Sequence, residues 1–181
     1  MAEALTDLWG VETSLVEYCD QLLPGVIDWS MSAMLAAHIR ENGIDVYLQE
    51  EALEIIEEDG KAVGVKTPKR TIDADLVIMA VGVMAQSGIA REAGLRVSDK
   101  GGVVVNRRMQ TSDPDIYAAG DCVKIQNLVT GKYFYAPFGS LANKEGRVVG
   151  DNLAGIPTTF EGAVGSFIMQ AFDVCVGATG L

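Results

Sequence analysis

The chain has 181 residues, 49% of them hydrophobic, and a formal net charge of -11. That length and apolar content fit one large or two small globular domains and argue against disorder. The acidic balance argues against nucleic acid and anionic membranes as partners, because a phosphate-binding footprint needs clustered Lys and Arg.

In chain order, Ala4, Leu5 and Leu8 fall at helical spacing over residues 2–8, with Gly10 as a stop. Val11–Glu17 reads as a strand that ends in an acid. Residues 20–30 form a loop broken by Pro24-Gly25, and Ser30 is expected to cap a helix through Met31, Leu35, His38 and Ile39 that stops at Asn42-Gly43. Ile44–Leu48 is the next strand. Strand alternating with helix predicts a parallel sheet, so the fold class is α/β.

The pattern then changes. Apolar residues 52–56 and 62–65 flank Glu57-Glu58-Asp59-Gly60, whose Asp-Gly pair signals a hairpin. Thr71–Ala74 closes this ribbon, and the apolar run Asp75–Gly82 reads as a strand buried on both faces. Further on, a helix is expected around Gly88–Ala93 and strands near Val103–Val105 and Ile116–Ala119. A hairpin over Val129–Tyr135 and a helix over Ser140–Leu153 follow, and Gly155-Ile156-Pro157 marks a boundary.

The start Met1–Leu5 has neither a basic leader nor a long apolar core, so no signal peptide is expected, and no apolar run is long enough to span a bilayer. Cys19, Cys122 and Cys175 have no C-x-x-C or metal-ligand spacing, which predicts no metal site and reduced cytoplasmic thiols. Cys19 and Cys175 are expected in the core, and Cys122 beside Asp121 is a poor nucleophile because the neighbouring acid raises its pKa. His38 is expected on a helix surface or in packing. The basic pairs Lys69-Arg70 and Arg107-Arg108 read as solvated loop charges, and Glu57–Asp59 as a hairpin tip.

The chemistry gathers at four places. Glu17 closes its strand where an acid can bind both adenosine ribose hydroxyls of a dinucleotide, and an acid there favours NADH over NADPH. The glycine-rich turn that precedes such an acid by about twenty residues falls ahead of Met1, so the unit is expected to lack its first strand and glycine loop. Gly82 ends the apolar run and lets a nicotinamide or its ribose approach the backbone. Gly120-Asp121 ends the stretch T-S-D-P-D-I-Y-A-A-G-D, where the carboxylate is an acceptor for sugar or ribitol hydroxyls. The fourth is the entry to the helix at Ala136–Arg147, whose free N–H groups and partial positive charge suit electron-rich ligand atoms.

The stretch from Thr111 to Asp121 resembles the second FAD-binding motif of the pyridine nucleotide-disulfide oxidoreductases. Residues 121–132 and 142–152 resemble the coenzyme A-disulfide reductase branch, with the NADH oxidases and NADH peroxidases close by. The resemblance implies FAD held by Asp121 at its ribitol and by Gly120 at its pyrophosphate, with the backbone of Ser140, Leu141 and Ala142 facing the isoalloxazine. It implies NAD(H) as the hydride donor and a small disulfide as the substrate of the longer enzyme, from which this chain would be an inactive fragment. Residues 1–82 are then an incomplete Rossmann-like NAD(H)-binding domain with a β-hairpin insertion. Residues 83–154 are the C-terminal segment of an FAD-binding domain, and 155–181 a linker and the start of a dimerisation domain, which implies a homodimer. Two departures stand out. Met84-Ala85-Gln86 replaces the R-P-N-like triplet of the family, and none of the three cysteines matches its redox cysteine, so no catalytic residue is assigned. A nucleotide-binding or assembly module without catalysis is the alternative.

Overall fold

The computed structural model describes residues 1–99 and 101–180. They cluster into two compact units: Met1–Ala80 with Phe167–Ala178, and Val81–Ser166 with the residues from Thr179 onward.

In the first unit a π-helical turn, Ala4–Leu8, precedes strand β1, Thr13–Glu17. Helix α1, Trp29–Glu41, carries the chain over to β2, Ile44–Leu48, which pairs with β1 in parallel from Thr13↔Ile44 to Glu17↔Leu48. The cap of α1 is Asp28 and not the expected Ser30. Asp28 Oδ1 accepts the Met31 N–H at 2.9 Å and the Ser30 hydroxyl at 2.6 Å, so the helix starts at Trp29. Ser32, Leu35, Ala36 and Ile39 form the buried stripe of α1, the spacing of one helical face. Leu35 and Ile39 pack with Ile27, Ile44 and Val46, and with Ala171 and Val176 of the antiparallel hairpin β9–β10, Phe167–Ala171 and Val174–Ala178.

Strands β3, Glu54–Glu58, β4, Lys61–Lys66, and β5, Thr71–Asp73, form the expected antiparallel ribbon. Asp59 and Gly60 turn its first corner at φ 51° and 77°, values a primed turn requires.

Three expectations for this unit fail. Asp75–Gly82 joins no ladder, and Leu76 is 70% exposed. A strand buried on both faces needs a hydrogen-bonded neighbour on each side, and the described residues supply none. Cys175 is exposed because the period of two along β10 turns its neighbour Val176 inward. Lys69-Arg70 is not a free loop pair: Arg70 Nη2 lies 3.0 Å from Glu50 Oε1 and its guanidinium stacks 4.4 Å from the centre of the Tyr47 ring. His38 does pack as expected, with Nε2 2.9 Å from Asp173 Oδ1 and its ring edge-on to Phe172.

The second unit holds α2, Gly88–Glu92, and a three-stranded sheet with order β6-β7-β8. β6, Val103–Val104, is parallel to β7, Val123–Gln126, which pairs antiparallel with β8, Tyr133–Tyr135. Helix α3, Gly139–Leu153, supplies Val148 to a core of Ala90, Val103, Val105, Met109, Val123 and Ile125. The hairpin begins earlier than expected, because Asn127 Oδ1 gathers the N–H groups of Val129 and Thr130 and makes residues 127–132 the turn. Ile116–Ala119 is extended but is not a sheet strand. It pairs instead with the segment before it, through Thr111 N to Ile116 O at 2.9 Å and Ala118 N to Met109 O at 3.0 Å. Gly120-Asp121 therefore stands just ahead of β7 and not at the carboxyl end of a strand.

Candidate cofactor site

Gly120 sits at φ +83°, a left-handed conformation that side-chain-bearing residues rarely adopt. Its carbonyl accepts the Val123 N–H at 3.0 Å, closing the turn into β7, and its N–H donates to Glu145 Oε2 at 2.7 Å. A methyl group built on Gly120 would lie 3.5 Å from the Ala142 Cβ. The turn and the start of α3 are thus in contact, which brings Gly120, Asp121 and Ala142 together. Asp121 is exposed and adjoins both Cys122 and Tyr135, whose phenol is pushed up by burial and then by the charge of Asp121.

At the start of α3 the cap position is Phe138, which offers no side-chain acceptor, and the first turn carries no acid. The N–H groups of Leu141 and Ala142 both turn back to the Phe138 carbonyl, at 2.9 and 3.0 Å. Those of Gly139 and Ser140 meet no acceptor among the described residues. This end of the helix keeps two donors and an uncompensated partial positive charge. Ser140 is exposed, while Leu141 packs against the core and Ala142 faces the Gly120 turn.

The Cys122 thiol is held above its usual pKa. Burial pushes its pKa up first, so the neighbouring acid Asp121 named from sequence is a lesser cause. Its Sγ donates to the Ala119 carbonyl at 3.3 Å.

Glu17 belongs to the first unit and Gly82 to the second. In the first unit, Glu17 at the end of β1 accepts the Cys19 N–H on Oε1 at 2.8 Å, and its carbonyl accepts the Glu50 N–H at 3.1 Å. These bonds fix a half-buried carboxylate at the sheet edge. Gly82, in the second unit, has φ +91°, and a methyl group built on it would meet nothing within 4 Å, so its backbone is open to approach.

Two glutamates escaped the sequence reading. Glu145 is 2% exposed, and its burial pushes the carboxyl up from the usual range, against the Gly120 N–H, which lowers it, and with the charge of Asp121, which raises it further. The signal for it was present: Glu145 sits three residues before Val148, on the apolar stripe of α3. Glu50 is equally buried, and Thr67 Oγ1 donates to its Oε2 at 2.7 Å. It had no such signal, because its partners Thr67 and Arg70 lie about twenty residues on, across a ribbon.

The residues at the turn fit a flavin dinucleotide: a backbone without a β-carbon, an exposed carboxylate, and two free N–H donors beside them. Among the described residues no helix is long and apolar enough to cross a membrane.

The sequence profile of the pyridine nucleotide-disulphide oxidoreductases matches residues 1–135. An NADH oxidase of Methanocaldococcus jannaschii is 35% identical over 172 residues, covering 95% of this chain and 38% of that protein. A CoA-dependent NAD(P)H sulfur oxidoreductase of Pyrococcus abyssi is 32% identical over the whole chain, which spans 40% of its length. The crystal structure of an FAD-dependent pyridine nucleotide-disulphide oxidoreductase from Desulfovibrio vulgaris superimposes with a TM-score of 0.95 at 47% identity, over 99% of this chain and 45% of that one. The 181 residues therefore span about two fifths of the curated relatives they match. By profile, sequence and fold, the chain belongs to the pyridine nucleotide-disulphide oxidoreductase family.

Proposed function

We propose that this chain contributes the nicotinamide-nucleotide unit and part of the flavin unit to an FAD-dependent NAD(P)H oxidoreductase acting on a disulfide or persulfide of the coenzyme A type. The observation that carries the proposal is the joining of the Gly120-Asp121 turn to the open start of α3. When bound, FAD would accept a hydride from the nicotinamide and hand on the electron pair. The chain's own residues bind and orient. Asp121 accepts hydrogen bonds from ribitol hydroxyls, Gly120 leaves room for the pyrophosphate, and the free N–H groups of Gly139 and Ser140 meet the electron-rich edge of the ring. Leu141 and Ala142 form the wall behind them. In the first unit Glu17, held by the Cys19 N–H, offers its second oxygen to the adenosine ribose; Gly82, of the second unit, has a backbone open to a nicotinamide or its ribose.

Residues 1–82 would serve NAD(H), 83–154 FAD, and the segment from 155 onward the subunit interface of a cytoplasmic homodimer, which sedimentation of the full-length protein tests. An oxidase is the second reading, favoured by the NADH oxidase relative. The two differ in the electron acceptor, so NADH consumption by the full-length protein with oxygen, peroxide or coenzyme A disulfide separates them. The cofactor assignment is tested on the 181-residue chain by flavin fluorescence: FAD should bind and Asp121→Ala should weaken it at least tenfold. Equal binding by both proteins overturns the assignment.

A further inference from the structure

We propose that Glu145 is the positioning residue of the Gly120-Asp121 turn, and that it does so as a neutral acid whose proton is retained on binding of the anionic dinucleotide. The inference deepens the flavin reading and rests on it for the linkage to cofactor. It concerns a side chain that touches no ligand and acts through Gly120.

The geometry carries the argument. Glu145 is buried, and its Oε2 accepts the Gly120 N–H at 2.7 Å, a bond that joins two segments 25 residues apart and fixes the peptide leading into Asp121. No Lys, Arg or His nitrogen lies within 4.0 Å of it among the described residues. The charge that acts on it is of the wrong sign for a carboxylate: it is that of Asp121 in the turn, and the other titratable neighbours, Cys122 and, beyond Asp121, Tyr135 of β8, supply no cation. Its helix neighbours Lys144 and Arg147 are exposed on α3 and form no ion pair with it. Burial and a second carboxyl beside it, with no cation in reach, favour the neutral form of Glu145 over the ionised one. Protonation does not cost the bond, because the carbonyl oxygen of a neutral acid still accepts the Gly120 N–H.

Binding of the dinucleotide places pyrophosphate charge at the same turn. A neutral Glu145 removes one repulsion from that step, whereas an ionised one adds it. By linkage, whatever brings negative charge to the turn strengthens proton retention at Glu145, and FAD affinity must fall as pH rises through the titration of that group.

The experiment uses the 181-residue chain with nitrogen-15 glycine. The Gly120 amide proton should titrate in one step above the ordinary carboxylate range, and Glu145→Gln should keep the slow amide exchange but abolish the step. Glu145→Ala should speed exchange at Gly120 about tenfold, the loss of one hydrogen bond. FAD dissociation constants measured over the same pH range should rise through the step in the wild type and stay flat in Glu145→Gln. A Gly120 titration unchanged in Glu145→Gln overturns the proposal. If Glu145→Ala does not fold, the comparison of wild type with Glu145→Gln still decides. Absence of FAD binding by the wild type sinks the flavin reading and the linkage, while the amide titration still decides the positioning role.

Discussion

Glu50 in the first unit and Glu145 in the second are equally buried and meet opposite surroundings. Glu50 faces the Arg70 guanidinium at 3.0 Å and accepts the Thr67 hydroxyl at 2.7 Å, with Lys69 Nζ at 4.0 Å. Glu145 has a backbone N–H for one oxygen and an acid, Asp121, for a neighbour. The first arrangement is that of a structural ion pair, which ties the end of β2 to the ribbon. The second leaves a buried acid without a countercharge, an arrangement concentrated at functional sites. Burial alone says little about a carboxyl; its partners decide what it does.

The comparison breaks most visibly on removal of Glu50. Glu50→Ala leaves the guanidinium without its carboxylate and the Thr67 hydroxyl with only the Arg70 carbonyl, at 3.2 Å, to donate to, and breaking a buried pair from one side costs about 3–5 kcal/mol. Arg70 is 45% exposed and recovers some hydration, so the expected loss is about 3 kcal/mol, read by urea unfolding. A loss under about 1 kcal/mol, the size of a surface pair, would show that the network does not bind the ribbon. Next in size is Gly120→Ala. A β-carbon at φ +83° costs about 1–2 kcal/mol in backbone strain. The Ala142 Cβ at 3.5 Å is an ordinary contact and adds no clash. The substitution should therefore lower stability by that amount and weaken FAD as well.

Glu145→Gln sharpens the comparison through its sign. Glu145 has its carboxyl pushed up in the folded chain, chiefly by burial, so the native state holds a proton that the unfolded chain has released. Its stabilising contribution is complete below the usual glutamate range and is lost as pH rises through the raised value. The wild type should lose stability relative to Glu145→Gln over that window, and at neutral pH the variant should be the more stable protein. Glu50→Gln, by contrast, removes charge from beside Arg70 and should destabilise at neutral pH. Denaturation midpoints at acidic and neutral pH check both, and equal behaviour of the two glutamines would erase the distinction.

Local signals carried the sequence reading a long way. The α/β alternation, the Asp59-Gly60 turn, α1 and α3 all depend on contacts near in sequence, and the structure has them where pattern placed them. Gly120-Asp121 and the entry to α3 were legible as separate motifs. That they touch was not, since the Gly120–Glu145 bond spans 25 residues and leaves no periodicity. Asp75–Gly82 and Ile116–Ala119 misled because an apolar run shows a wish to be buried, not the presence of a neighbour to pair with. A strand is a property of two segments, and pattern reads one at a time.

The smallest effect concerns the cap of α1, where sequence pointed to Ser30 and the structure to Asp28. Asp28 holds both the Met31 N–H and the Ser30 hydroxyl on one oxygen, and these two bonds, the hydroxyl's first, lower its pKa. Asp28→Ala removes the acceptor of an otherwise orphaned helix N–H, whereas Ser30→Ala removes only a donor that steadies the carboxylate. Asp28→Ala should lower the melting temperature more than Ser30→Ala, and the gap should close as pH falls through the Asp28 titration, because the protonated acid is the weaker cap. A larger effect from Ser30→Ala would return the helix start to the residue that the sequence suggested.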